Sequence, residues 1–304
     1  MKIVLLSGGG GGARFARGLA DTLPPGDLTV VGNVGDDLEI LGLLVSPDLD
    51  SLLYTLAGLI DGGRGWGRKG ESWNALVSAR AWGGEDWFRL GDLDLGLHLV
   101  RTELLHAGTP LSGVTDQLRE KASVSTRILP ATDDRLRTHV HTPAGSFPFQ
   151  EWFVARAHED EVDAVSYEGA DDARAASGVL EALADAEAIL IAPSNPYLSI
   201  GPILAVGEIR TAVESRRVRC VAVSPLVGGK AVSGPLDRML SRMAGGTTPA
   251  HVAGCYSGLI DRLVIDGADA PAEADVELVA TRTLMSDRDA ARRLAEHVLE
   301  AACG

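Results

Sequence analysis

Cysteine is scarce. Cys220, Cys255 and Cys303 are the only three in 304 residues, and they are widely spaced, with no Cys-x-x-Cys pair and no histidine at zinc-finger spacing. That argues against a disulfide framework and a structural zinc site, and the three read as ordinary reduced thiols. Long apolar runs are missing as well. Ile3 to Leu6 is too short for a signal-peptide core and ends in glycines, and no segment approaches the roughly 20 apolar residues of a membrane span. The expected compartment is therefore the cytoplasm, with no membrane partner. Basic residues are outnumbered, 28 Lys and Arg against 42 Asp and Glu, for a net charge of −14. No nucleic-acid partner is expected of such a chain, although a local basic pocket can still receive a phosphorylated ligand. There is no repeat of fixed period and no low-complexity tract beyond one glycine run. What is present is ample apolar material, 45% of residues, enough for a large core in one large domain or two modest ones.

Short apolar runs alternate with helical patterns, the mark of βαβ units and a mainly parallel sheet. Ile3–Leu6, Leu28–Val31, Ala188–Ile191, Val218–Val223 and Leu263–Ile265 read as buried strands. Helical patterns cover Arg14–Thr22, Ser51–Ile60, Ala173–Asp185, Ile203–Glu214, Pro235–Met243 and Asp287–Ala301. Between Asp61 and Arg119 lie two or three helical patterns and no strand. The expected architecture is α/β and Rossmann-like: a core of residues 1–60 and 120–304, with helices on both sheet faces, and a helical insertion over 61–119 that closes a pocket.

Four unusual loops follow the strands, and in an open parallel sheet all of them reach one edge, where such folds bind ligands. The first, SGGGGGAR, holds Gly8, Gly9, Gly10, Gly11 and Gly12 at the opening of a helix, with Arg14 beside them. Five glycines serve close approach rather than packing, and helix-opening amides suit a phosphate. Gly8, Gly10 and Ala13 also fit the dinucleotide pattern, with Asp36 at a ribose-contact distance, but a glycine run satisfies almost any glycine pattern. No Gly-Lys-Ser/Thr closes the run, so it is not a Walker A loop. APSNP, with Ser194 and Asn195 between prolines, suits a base or ribose, or is simply a well-formed turn. Gly228, Gly229 and Lys230 combine close backbone approach with a mobile ammonium.

NVGDD supplies Asp36 and Asp37, and SPDLD supplies Asp48 and Asp50. A hard cation such as Mg²⁺ takes a few carboxylates together with substrate phosphate oxygens, so all four are candidate metal ligands. Asp50 also reads as a helix N-cap and Asp48 as a turn residue. In the insertion, Asp92, Asp94, His98 and Arg101 fall on or before one helix at spacings that share a face, either lining a second pocket or forming a solvated salt-bridged surface.

These stretches, together with SPDLDSLLYTLAG, GWGRKGESWNA, LGDLDLGLHLVRTELL, TRILPATDD, FQEWFV, APSNPYLSIGPIL, SPLVGGKAVSGP and TLM, resemble the 2-phospho-L-lactate transferase family of deazaflavin coenzyme biosynthesis, in order from Lys2 to about Ser286. GGARF, GWG with ESWNA, and FQEWFV are similar to its actinobacterial type. The resemblance implies transfer of a phospholactyl or phosphoenolpyruvyl group from a guanosine diphosphate-linked donor to the ribityl hydroxyl of 7,8-didemethyl-8-hydroxy-5-deazariboflavin, with GMP leaving. It assigns Gly8 to Arg14, Ser194-Asn195 and Gly228-Gly229-Lys230 to the nucleotide. Asp36, Asp37, Asp48 and Asp50 fall to Mg²⁺ and the attacking hydroxyl, with Asp36 and Asp50 as catalytic carboxylates and Asp50 foremost for the acceptor. Trp66, Asp92, Asp94, His98 and Arg101 fall to the deazaflavin. Leu93 stands where the family usually has a basic residue inside GD-x-D, so that contact is either missing or supplied from elsewhere, by Arg101 or another group. A homodimer is expected. Two other functions use the same glycine run: an NAD-dependent dehydrogenase, which leaves the aspartates without a purpose, and a nucleotide-sensing regulator, which needs no acceptor pocket.

Overall fold

The computed structural model describes residues 1–303. Its strands are β1 (Ile3–Ser7), β2 (Leu28–Gly32), β3 (Leu38–Ile40), β4 (Leu43–Val45), β5 (Arg127–Pro130), β6 (Arg137–Thr142), β7 (Gly145–Pro148), β8 (Ala164–Glu168), β9 (Ala188–Ile191), β10 (Arg219–Val223), β11 (Leu226–Val227), β12 (Lys230–Ala231), β13 (Arg262–Asp266) and β14 (Glu277–Thr281). Its α-helices are α1 (Gly9–Thr22), α2 (Pro47–Leu56), α3 (Asn74–Ala81), α4 (Asp92–His106), α5 (Leu111–Lys121), α6 (Val179–Ala184), α7 (Gly201–Ala205), α8 (Gly207–Glu214), α9 (Leu236–Met243), α10 (Pro249–Gly254) and α11 (Arg288–Cys303).

Seven strands form one sheet in the order β14-β13-β10-β9-β1-β2-β5, and every neighbouring pair is parallel. The five runs read as strands are all in it, and the expected Rossmann-like α/β architecture holds. The central strands β1 and β9 are buried along their whole length, which is why they read as unbroken apolar runs. β5 and β14 lie at the edges and gave no such run: β14 is partly exposed, and β5 has only Ile128 and Leu129 between the exposed Arg127 and the buried Pro130. Connections run one way along the sheet from β1 to β2 and the other way from β9 to β10. Right-handed crossovers therefore put helices on both faces, with α1 packed against α2 and α11, and α6 against α8. The order reverses between β1 and β9, and this is where the sheet opens a crevice.

Several helical boundaries differ from those read in the sequence. α1 starts at Gly9 rather than Arg14, so four glycines form its first turn. α2 starts at Pro47 with Ser46 as its N-cap, and Asp50 therefore lies inside the helix and caps nothing. The pattern over Ala173–Asp185 yields only α6, because Gly178 takes a left-handed φ of 86° just before it. The pattern over Ile203–Glu214 breaks into α7 and α8 at Val206, whose backbone is extended. A three-stranded antiparallel sheet, β7-β6-β8, was not anticipated. Its alternating burial in β6 is the period-2 signal that was there to be read. Residues 61–119 hold α3, α4 and most of α5, and no named strand.

Candidate active site

The loops after β1, β2, β9, β10 and β14 and the start of α2 enclose one cavity of about 720 Å³. Residues 66–67, 88–90, 94 and 98 of the helical segment close it from the other side. Apolar groups such as Phe149, Phe153, Leu236 and Met285 make up much of its wall, while Asp36, Asp48, Asp50 and Asp94 all open onto it. Such a cavity, mostly apolar with a few convergent polar groups, has the character of a small-molecule site.

At the head of α1, close approach is what the glycines provide. A Cβ on Gly8 would come within 2.7 Å of Asp48 Oδ2 and 2.8 Å of the Ser199 Cβ. A Cβ on Gly12 would run into the hydroxyls of Ser7 and Ser194. Gly8, Gly9, Gly10 and Gly11 line the cavity with Arg14. Ser194 Oγ donates to the Gly8 carbonyl at 2.6 Å and so pins this junction to the loop after β9. Asn195 lines the cavity too, but its Oδ1 is occupied by the amides of Tyr197 and Leu198.

Asp36 and Asp48 are buried carboxylates whose pKa values are pushed up, chiefly by burial; for Asp36 the repulsion of Asp48 is the next cause. Asn33 Nδ2 donates to Asp48 at 2.9 Å, and the nearby Gly9 amide favours its charged form, whereas Asp36 Oδ1 has no partner. Burial lifts Asp37 to about 7 as well, with Arg137 opposing, and Ser46 Oγ donates to it at 2.8 Å. Among the described residues no three carboxylate, histidine or cysteine side chains converge at metal-ligand spacing. Of the four aspartates, Asp37 is turned to Ser46, and Asp50 to an arginine. The pair Asp36 and Asp48 fits a hard cation that keeps water and phosphate oxygens as its other ligands, because a divalent charge would relieve both the repulsion and the orphaned Oδ1.

α4 meets α2 through buried polar contacts. Arg101 binds both carboxylate oxygens of Asp50, with Nη1 3.0 Å from Oδ2, and the same Nη1 lies 3.2 Å from His98 Nδ1. Burial pushes His98 down to about 4, against the pull of Asp50. Tyr54, one helical turn after Asp50, donates to Asp94 at 2.6 Å. Burial lifts Asp94 to about 6 against that bond.

The family model for the CofD 2-phospho-L-lactate transferase matches residues 3–302. The chain belongs to this family. Among its relatives are proteins named phosphoenolpyruvate transferase from Streptomyces griseus, 44% identical over 99% of this chain and 98% of the relative, and from Nocardia farcinica, 40% identical over 99% and 95%. Its fold is shared with a UPF0052 family protein from Bacillus halodurans, at a TM-score of 0.64 and 17% identity over 98% of both chains.

In this transferase several residues assigned to ligands by resemblance stand off the cavity wall, each for a visible reason. The amides of Gly228 and Gly229 are taken by the Asp269 carboxylate, at 3.2 and 2.6 Å, where a phosphate was expected. Lys230 is exposed on β12 and does not line the cavity. Asp92 accepts from Ser72, Asn74 and the Ala75 amide, which caps α3 and holds its carboxyl down at about 2. Glu71 returns the favour by accepting from the amides of Leu93 and Asp94 at the head of α4. Gly12, Asp37 and Arg101 are also off the wall. Leu93 is off it as well and partly exposed. Sequence reasoning missed Tyr54, Arg89, and the stacked rings of Phe149, Phe153 and His158, at 5.2 and 4.7 Å between centroids. For Tyr54 the signal was its i+4 spacing from Asp50; for Phe149 and Phe153 it was the FQEWFV stretch itself.

Proposed function

We propose that the transferase moves a phosphoenolpyruvyl group from a guanosine diphosphate-linked donor to the ribityl hydroxyl of 7,8-didemethyl-8-hydroxy-5-deazariboflavin, releasing GMP in deazaflavin coenzyme biosynthesis. The enolpyruvyl donor is preferred to the lactyl one because the relatives at 40–44% identity are named for phosphoenolpyruvate. The single observation that carries the reading is a cavity of about 720 Å³ whose apolar walls suit a flat ring and whose buried carboxylates sit beside a glycine-rich helix head. No helix among the described residues is long and apolar enough to cross a membrane.

In this reading the hydroxyl oxygen bonds to the terminal phosphorus while the bond from that phosphorus to the bridging oxygen breaks, and the electron pair leaves with GMP. The hydroxyl proton passes to Asp50, on the wall at the α2 side. Asp36 and Asp48 would hold Mg²⁺, which supplies charge neutralisation at the phosphate oxygens. Arg14 and Arg89 are cations on the wall with no carboxylate partner among the described residues, and they suit the donor's diphosphate and carboxylate. The amides of the α1 head that remain free add to the diphosphate contact. No covalent enzyme intermediate is needed.

Calorimetry and thermal melting with GDP, the deazaflavin and NAD test the reading. GDP should raise the melting temperature by mass action and the deazaflavin should bind in the presence of Mg²⁺, with NAD inert. Equal stabilisation by NAD would favour a dehydrogenase. GDP binding without deazaflavin binding would favour a nucleotide-sensing regulator.

A further inference from the structure

Arg101 is 2% exposed and lies outside the cavity, yet it grips the carboxylate that takes the hydroxyl proton in the proposed function. Both Asp50 oxygens are engaged by the guanidinium fork, and His98 Nδ1 braces one arm of it at 3.2 Å. Asp50 itself, 6% exposed, lines the cavity. From this geometry we infer that Arg101 is a positioning residue: it touches no ligand and fixes the plane of the Asp50 carboxylate so that a remaining lone pair meets the acceptor hydroxyl.

A purely adhesive role is the competing explanation, since Arg101 joins α4 to α2. Buried ion pairs, however, are poor glue, because the desolvation of two charges consumes most of their attraction and apolar replacements are often as stable. Adhesion between these helices has a second, independent source in the Tyr54–Asp94 bond. What the fork adds beyond adhesion is orientation. A lysine would leave a point charge at Asp50 with no planar constraint. The placement also links the two sides of the cavity: α4 carries the wall residues Asp94 and His98 as well as Arg101, so any shift of that wall turns Asp50 with it.

The inference rests on the proposed transfer, and its test separates the two. Arg101→Lys should keep GDP and deazaflavin affinities within about threefold while lowering kcat roughly 10–100-fold, the usual cost of a lost orienting partner or of about 1 Å of misplacement. Arg101→Met should lose more, and added guanidinium ion should restore part of it. In an Asp50→Asn background the Arg101→Lys change should cost nothing further, because the group it orients is already disabled. Crystal structures of the wild type and Arg101→Lys should show the Asp50 carboxylate turned out of its plane in the variant, whether or not any donor is turned over. A raised acceptor KM with kcat intact would make Arg101 a binding residue instead. Unchanged kcat, or an unmoved Asp50 in the variant crystal, would leave the pair merely structural. Absence of turnover in the wild type would count against the proposed function, and the crystallographic comparison would still decide the role of Arg101.

Discussion

His98 and Asp94 sit one helical turn apart on α4, and burial drives their pKa values in opposite directions: His98 down from 6.5 to about 4, Asp94 up from 3.8 to about 6. Their contributions to stability therefore fade at opposite ends of the pH scale. His98 is neutral when folded but takes a proton more readily when unfolded, so its contribution is complete above about 6.5 and is lost as pH falls toward 4. Asp94 holds its proton more tightly when folded, so its contribution is complete below about 4 and is lost as pH rises through about 6. Each effect is on the order of 3 kcal/mol at most, from shifts of roughly two units. Urea unfolding at pH 4, 5, 6 and 7 should show a flatter acid limb for His98→Gln and a gain at pH 7 for Asp94→Asn. An acid limb in His98→Gln as steep as that of the wild type would mean that the ring is not held neutral.

The β1–α1 junction shows how a single element can serve both packing and site. Gly8 lets Asp48 and Ser199 close over the strand end, where the Asp48 carboxylate comes beside the head of α1. Gly8→Ala should force these groups apart and destabilise the chain by roughly 1–3 kcal/mol, the usual range for overpacking, with a larger loss in GDP affinity than in deazaflavin affinity. Denaturant titration and calorimetry give both numbers, and a variant as stable as the wild type would remove the tight junction from the explanation. The need for glycine here was legible from sequence, because five in a row after a buried strand have no packing use. That Asp48 closes on this junction was not, since the two segments lie far apart in the sequence and meet only through the fold. The same holds at Gly228 and Gly229, where Asp269 arrives from the segment after β13 to fill the amides. Local sequence shows that a backbone can bind an anion; it does not show which anion the chain itself supplies.

The parallel character of the sheet, the convergence of loops at the strand ends and the family are all written in features that do not depend on distant contacts: buried runs, the residues that end them, and ordered motifs. The cavity is different. Its carboxylates divide into one pair suited to a cation, Asp36 and Asp48, one held by an arginine, Asp50, and one bonded to a tyrosine, Asp94, and that division comes from partners brought in by α2 and α4. It is this division of labour within one cavity that makes a transfer between two bound ligands the natural use of the fold. Mass spectrometry of the purified protein incubated with the deazaflavin, Mg²⁺ and either the enolpyruvyl or the lactyl guanosine diphosphate tests it in one experiment. The expected result is one equivalent of GMP for each phosphoenolpyruvyl-deazaflavin formed, faster than with the lactyl donor and abolished by chelation. Bound GDP and deazaflavin with no transfer product from either donor would refute it.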